Sequence, residues 1–541
     1  MNKIIKIVLI SLCVIGMILV NLNVVGAAER PFRSCWGWPT FIDPAVGSDF
    51  SSTIALLNLY DTLTFPDVKG TAQPHVAKNW AISDDGLSYT FYLRSGIKFH
   101  DGTELTAEDV KFSLERLVTI GEGYAYLFMD KVVNAEVVDS HTLVFHLNKP
   151  CGPFLGMLVR LYILNKDLVM KNIKKPGPYG NMGDYGKEWL VTHDAGSGPY
   201  IVKEYLPQES VSMGINLDYW QPFDPNVPDE IKLFNINENA TVKTLLQNRE
   251  VEIGHPFHST EALESMDKIE GVDIARFPMS GMLYYMIHTK KPPTDDIHFR
   301  KALAWALDYK TVVEDIWPGV SYARGPIPKI TPGFDPTVLQ YHRDLDKAKE
   351  ELKKSKYYGQ LDKYSIDIHW CATMPDEEKI ALLFMSNCAE LGIKIVSVKT
   401  PWTKMVEEAA SIEESPNIMN VMVSADFAEA GSFFESRYKS DSAATWMQNE
   451  WLLDPDLDAR IDEAIETIDQ KERFAKYSEL QQYIVDLCPS IFLFDQGAKY
   501  PYQSSYVDWP AAKGEVPPVM GYAFYGPSVK IYKEKRLDLL K

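Results

Sequence analysis

Residues 77–110 read AKNWAISDDGLSYTFYLRSGIKFHDGTELTAEDV. Asp84-Asp85-Gly86 is a turn signal, since glycine accepts the backbone conformations that tight turns demand. Tyr89, Phe91 and Leu93 then alternate with other residues, the period of a half-buried strand. Phe99-His100-Asp101-Gly102-Thr103 marks a second turn. Thr106 and Asp109 have the spacing of a capping box, in which each side chain satisfies a backbone donor at a helix start. Val110, Leu114 and Leu117 supply the apolar stripe of the helix that follows. Strand, turn and helix within one short stretch predict a chain that mixes both element types.

The same mixture continues on both sides. Upstream, Ile54, Leu57 and Tyr60 lie near one helical face, after the aromatic, turn-rich segments Cys35-Trp36-Gly37-Trp38-Pro39 and Phe41-Ile42-Asp43-Pro44. Downstream, Leu143, Phe145 and Leu147 alternate as a strand, and residues 174–186 form a Gly- and Pro-rich loop. Gly196-Ser197-Gly198-Pro199-Tyr200 leads into a further strand. Phe299, Leu303, Ala306 and Leu307 mark a helix, and residues 344–356 a charged one with a solvated face. Gly392 ends a helix before the strand Ile393-Lys394-Ile395-Val396. Leu457, Ile461, Ala464, Ile465 and Ile468 predict one amphipathic helix. A chain of 541 residues exceeds one core, so two or three domains are expected. With no linker and no repeat between them, they are expected to be interwoven.

The start of the chain reads as an export signal. Lys3 and Lys6 precede the apolar run Ile7 to Val20, and Val25-Gly26-Ala27-Ala28 offers a small-residue cleavage site near Ala27 or Ala28. Leu12 before Cys13 is too large for a lipid-attachment site. The run is marginal as a membrane span, because it reaches Val25 only across Asn21 and Asn23. Loss of residues 1–28 removes two lysines and no acid, taking the net charge from −19 to −21. Such acidity disfavours nucleic acid and anionic membrane partners. Of six cysteines, Cys35, Cys151, Cys371, Cys388 and Cys488 remain after cleavage. An odd number excludes a full disulfide framework, and at most one or two bridges are expected.

Catalytic motifs are missing from the sequence. There is no P-loop, HExxH or GxSxG pattern. His342-Arg343-Asp344-Leu345 matches a kinase catalytic loop in letters only, since Lys349 stands where the metal-binding Asn belongs. His255-Pro-Phe-His258 has metal-like spacing but lacks further ligands, and reads as two loop histidines. His141 and His146 fall on opposite faces of a strand pattern. No metal or cofactor is expected. These residues leave open a binding protein and a secreted hydrolase using a carboxylate pair.

The block from Ala77 to Val110 resembles the extracellular solute-binding proteins of family 5, the oligopeptide, dipeptide and nickel receptors of ABC importers. Leu59-Tyr60-Asp61-Thr62-Leu63, Gly196 to Tyr200, Phe299 to Asp308, Asp346 to Lys349, Glu390 to Ile393 and Pro489 to Leu493 resemble the same family, in the same order. The resemblance implies an α/β, two-lobed fold of the periplasmic-binding-protein type II, with an extra inserted domain. It implies domain I at 29–63, 196–286 and 503–541, inserted domain II at 64–195, and domain III at 287–502. Lobe crossings are expected near Gly196 and Pro501. The implied function is a monomeric extracytoplasmic receptor that closes over a peptide and delivers it to a membrane permease, its ATPase being another chain.

Asp426, in Ser424-Ala425-Asp426-Phe427, matches the aspartate that pairs with a peptide's ammonium group in the family. Tyr124 matches a ligand-facing tyrosine, and Tyr126 and Phe427 flank these two. Here Val421-Met422-Val423-Ser424-Ala425 stands where peptide receptors often carry tryptophan and glycine before the aspartate. An oligosaccharide stacked on Trp36, Trp38 or Trp402, or a nickel chelate, is therefore the alternative ligand. A cap on a helix starting near Ala428 is the alternative role of Asp426.

Overall fold

The computed structural model describes residues 30–35, 40–207 and 209–540. The export signal and Trp38 lie outside them. One four-stranded sheet has the order Pro31–Ser34, Glu230–Phe234, Ser210–Ile215 and Tyr200–Leu206. A second four-stranded sheet is built wholly from Ala77–Ile82, Ser88–Leu93, Thr142–Leu147 and Val132–Asp139, antiparallel throughout. A six-stranded mixed sheet orders Ser321–Tyr322, Ser490–Tyr502, Asp273–Ile287, Ile418–Ser424, Ile366–Cys371 and Ile395–Thr400.

The two longest strands join these parts. Asp273–Ile287 and Ser490–Tyr502 pair antiparallel along almost their whole length. Their outer ends reach the first sheet through single bridges, Ser34 to Ile253 and Ile253 to Tyr502. Their inner ends form the middle of the six-stranded sheet. The lobes are thus connected by a paired ribbon at 273–287 and 490–502. Pro501 lies on it, but Gly196 does not, which corrects the expected crossing there. Residues 196–198 instead pass against the end of the helix Phe50–Leu59. A Cβ on Gly196 would sit 1.9 Å from the Leu59 carbonyl oxygen, so this passage admits no side chain.

Local signals hold where the chemistry is local. Thr106 donates its backbone N–H to Asp109 at 2.9 Å and opens the helix Ala107–Ile120. Tyr89, Phe91, Leu93, Val110, Leu114 and Leu117 are all buried. Asp344 caps the helix Leu345–Lys354, which explains the kinase-like letters structurally. The helix Pro455–Glu466 stops before Ile468, whose side chain is exposed, so the expected stripe is one residue too long. Cys35, Cys151, Cys371, Cys388 and Cys488 are buried and free, with no disulfide among the described residues.

One buried ion pair ties the N-terminal segment to the helix Ala107–Ile120. Arg116 donates from both Nη atoms to the Asp43 carboxylate at 2.6 Å, and from Nε to the Tyr185 carbonyl at 2.8 Å. Removing one partner of such a pair strands the other charge away from water. Asp43→Asn is expected to lower unfolding free energy by about 3–5 kcal/mol in urea titrations. A loss below about 1 kcal/mol would mean that Arg116 finds water instead.

Candidate functional site

The central ribbon determines where the cleft lies. The strand Ile418–Ser424 pairs with Gly281–Ile287, starting at Gly281 opposite Ser424. Between Pro278 and Met282 the ladder to Ser490–Tyr502 is interrupted. At Gly281 a Cβ would meet the Val423 carbonyl oxygen at 2.6 Å, so glycine lets the strands close up there. The chain leaves the sheet at Ala425, whose N–H donates to the Ser280 carbonyl at 2.7 Å. Met520 of the C-terminal segment donates to the Ala425 carbonyl at 3.1 Å. A small, mostly apolar recess lies here between Phe50, Phe277, Ser280, Ser424 and Met520.

Asp426 follows directly and is 4% exposed. Tyr126 donates its hydroxyl to the Asp426 carboxylate across the lobes. Burial first, and then the neighbouring carboxylate, push the Tyr126 hydroxyl well above the ordinary phenol range, so it remains a donor. The Asp426 N–H donates to Ser432 Oγ at 2.8 Å. The helix after it is Gly431–Arg437 and has no side-chain cap. The capping alternative for Asp426 is therefore wrong, because the helix starts too late and the carboxylate points to Tyr126.

Arg160 holds the backbone of this turn. Its side chain is 0% exposed. Its Nε donates to the Asp426 carbonyl at 2.6 Å, Nη1 to the Tyr162 hydroxyl at 3.3 Å, and Nη2 to the Met520 carbonyl at 2.9 Å. The guanidinium lies 4.9 Å from the centre of the Tyr124 ring and 5.8 Å from that of Tyr522. Aromatic faces and carbonyl dipoles thus replace a carboxylate as its counter-charge. Tyr124 itself is 1% exposed. Its hydroxyl lies 2.7 Å from Thr53 Oγ1 and donates to the Ser48 carbonyl at 3.2 Å.

Among the other expected site residues, Phe427 is buried beside Asp426. Trp402 is 40% exposed at the start of the helix Trp402–Ala409, edge-on to Trp446 at 5.1 Å. Tyr124, Tyr126, Asp426 and Phe427 are therefore gathered at one place, while Trp402 packs on Trp446. Sequence reasoning passed over Arg160, Ser432 and the segment around Met520. Arg160 did leave a signal, a lone charge in the apolar run Phe154-Leu-Gly-Met-Leu-Val-Arg160-Leu-Tyr-Ile-Leu164. Lys131 to Glu435 at 2.8 Å and the Gly152 N–H to the Ile465 carbonyl at 2.8 Å add further links between the lobes.

His255 and His258 do not form a metal site. Their rings stack with centres 3.6 Å apart, and His258 Nδ1 lies 2.6 Å from Asn239 Oδ1. Among the described residues no group of three or more possible ligands forms a metal centre.

Two α/β lobes, a paired ribbon between them, and hydrogen bonds from both sides that meet at Asp426 define a solute-binding receptor. The family model described as bacterial extracellular solute-binding proteins, family 5 Middle, matches residues 71–445. The chain belongs to that family. It is 28% identical over 85% of its length to the probable D,D-dipeptide-binding periplasmic protein of Escherichia coli (strain K12), covering 87% of that protein. It is 25% identical over 78% of its length to the dipeptide-binding protein of the same organism, covering 80% of it. The periplasmic binding protein of Helicobacter pylori in complex with peptide STSA superposes with a TM-score of 0.80 at 23% identity. That match covers 93% of this chain and 98% of the other. No described helix is long and apolar enough to cross a membrane.

Tyr124→Phe is expected to lower stability by about 1–3 kcal/mol with little effect on ligand retention, since it removes the buried bonds to Thr53 and Ser48. Tyr126→Phe should lower melting too, because it strands the buried Asp426 carboxylate, and should also weaken ligand retention, because the hydroxyl at Asp426 is lost. Equal effects of the two changes on melting and binding would contradict this division. The histidine pair sets an acid limit. Burial lowers His255 to about 4 and His258, further opposed by His255, to about 2. The unfolded chain therefore binds more protons below the ordinary histidine value, and stability is lost as pH falls from about 6.5 towards 4. Replacing both by Gln should flatten that fall in urea midpoints measured across this window.

Proposed function

We propose that the chain is the peptide receptor of an ABC importer, capturing a short peptide between its lobes and passing it to a membrane permease. The observation that carries this is Asp426. It is a buried carboxylate at the lobe junction, whose side-chain hydrogen bond comes from a tyrosine hydroxyl of the opposite lobe. A closing cleft strips water from a ligand ammonium group, and an unpaired buried charge is strongly unfavourable. A carboxylate restores those hydrogen bonds and fixes one end of the ligand. Tyr126 would then exchange its bond to Asp426 for a shared one with the ligand, so capture and closure use the same groups. The end of the strand at Ser424 and Ala425 offers the edge along which an extended peptide is gripped by its backbone.

The names of the relatives support a peptide, since two of them are dipeptide-binding proteins of Escherichia coli. The receptor is proposed to act as a monomer, to catalyse no reaction, and to use no cofactor. Export is proposed to follow cleavage near Ala27 or Ala28. The domains are proposed to follow 29–63, 196–286 and 503–541 for domain I, 64–195 for domain II, and 287–502 for domain III. The pairing of Asp273–Ile287 with Ser490–Tyr502 supports boundaries near 287 and 502.

The test combines Asp426→Asn with a blocked ligand. Mass spectrometry of solute released from the protein purified without additions would first identify a peptide. Asp426→Asn should then keep its melting temperature while losing roughly 1.5–3 kcal/mol of affinity for the free peptide. The N-acetylated peptide should bind the unmodified protein poorly. Equal binding of acetylated and free peptide would end the ammonium role, and release of sugars alone would end the peptide reading.

A further inference from the structure

The small recess at the lobe junction differs in chemistry from the polar groups beside it. Phe277 and Met279 form one wall from the ribbon. Phe50, at the start of the helix Phe50–Leu59, forms a second, and Val519 and Met520 of the C-terminal segment a third. Ser424 closes it from the end of the second-lobe strand. The hydroxyls that line it already have polar neighbours. Ser280 Oγ lies 2.7 Å from Thr331 Oγ1, and Ser424 Oγ 3.5 Å from Gln496 Oε1. Phe50, Met279, Ser424 and Met520 are each only partly buried, so a solute at the junction can reach them.

The backbone fixes the recess beside Asp426. Ser424 and Asp426 are two residues apart, so their Cα atoms are separated by at most about 7 Å. The Met520 N–H donates to the Ala425 carbonyl at 3.1 Å. Arg160 then holds the Met520 carbonyl at 2.9 Å and the Asp426 carbonyl at 2.6 Å with a single guanidinium. The wall at Met520 therefore flanks the same turn that presents Asp426. A peptide's ammonium nitrogen and the tip of its own first side chain are separated by about 6 Å, five extended bonds of about 1.5 Å each. The second side chain of an extended peptide leaves by the opposite face. With the ammonium on Asp426, the first side chain is thus the one that reaches the recess.

We propose that this recess is the pocket for the first side chain of the peptide, and that the receptor prefers an aliphatic or thioether residue there. This rests on the peptide reading above. An apolar side chain gains by leaving water for such walls, whereas an amide loses hydrogen bonds that the recess does not replace. The two methionines are unbranched and flexible, so they adapt to entering groups of different shape. Because the walls come from both lobes, filling the recess also favours the closed state.

The experiment titrates dipeptides X-Ala calorimetrically into the purified chain stripped of solute. Two pairs of similar size are compared, Met-Ala with Gln-Ala and Leu-Ala with Asn-Ala. The apolar member of each pair is expected to bind about tenfold or more tightly. Met520→Gln and, separately, Met279→Gln should each reduce that ratio to about threefold or less, while free Met-Ala still binds better than its N-acetylated form. Equal affinities within both pairs in the unmodified protein would overturn the pocket. So would a ratio unchanged in both variants, or a preference that appears in Ala-Met over Ala-Gln and not in Met-Ala over Gln-Ala. Should a variant fail to fold, the comparison in the unmodified protein still decides. Binding of all X-Ala peptides without preference defeats the pocket alone, whereas binding of none defeats the peptide reading and the pocket with it.

Discussion

The hydrogen-bonded ribbon of Asp273–Ile287 and Ser490–Tyr502 is the constraint to which the other parts adjust. It is central in the six-stranded sheet and reaches the first sheet only through single bridges at Ile253. A strand pair is stiff along its length and compliant in twist where its ladder breaks. The break between Pro278 and Met282 falls beside the recess and beside Ala425. Bending there would move the lobes while leaving each sheet intact. Hinge motions need a few residues that absorb dihedral change, and an interrupted ladder supplies them without losing core contacts. The ribbon also explains why Asp426 is where it is. Ile418–Ser424 can pair only as far as the ribbon's regular ladder runs, so the next residues must turn out at the junction.

Arg160 shows how the first lobe reads the state of the second. It is a buried cation without a carboxylate, held by carbonyls of Asp426 and Met520 and by tyrosine faces. Two of its three hydrogen-bond partners come from segments distant in sequence, so it is fully satisfied only when the turn Leu158–Arg160, the C-terminal segment and the second lobe meet. Opening would return it to water, which hydrates a guanidinium well. The contact therefore contributes little to net closure free energy but fixes its geometry. Tyr124, with its hydroxyl committed to Thr53 and Ser48, is the platform beneath it. The lysine pairs at the rim are solvent-screened and weaker still: Lys149 to Glu466 is largely exposed.

What was legible in the sequence was local or motif-borne. The turn at Gly86, the alternation of Tyr89, Phe91 and Leu93, and the capping box at Thr106 each depend on neighbours within a few residues, and each appears in the fold. Asp426 was singled out through resemblance, although Val421 to Ala425 depart from the residues that often precede such an aspartate, and its partner Tyr126 lies far away in sequence. The committed hydroxyl of Tyr124 was not, since Thr53 and Ser48 are far away in sequence. Gly196 was misassigned to a lobe crossing because a glycine-rich passage looks the same whether it bends a hinge or slides past a helix end. Only the near-contact with the Leu59 carbonyl distinguishes the two.

The electrostatics of the molecule operate on two length scales. At long range the chain carries a formal charge of −19, which repels anions and attracts cations. Screening confines such effects to about 8 Å at physiological salt, so the surface charge governs encounter more than binding. At the lobe junction Asp426 lies beside Arg160, whose Nε holds the Asp426 carbonyl, and both are buried. Arg160 is already met by carbonyls and tyrosine faces, so it offers a ligand no free charge. The Asp426 carboxylate is met by one tyrosine hydroxyl, a weaker partner than a cation at the same place would be. Surface and junction therefore carry the same sign, the one acting on approach and the other at contact.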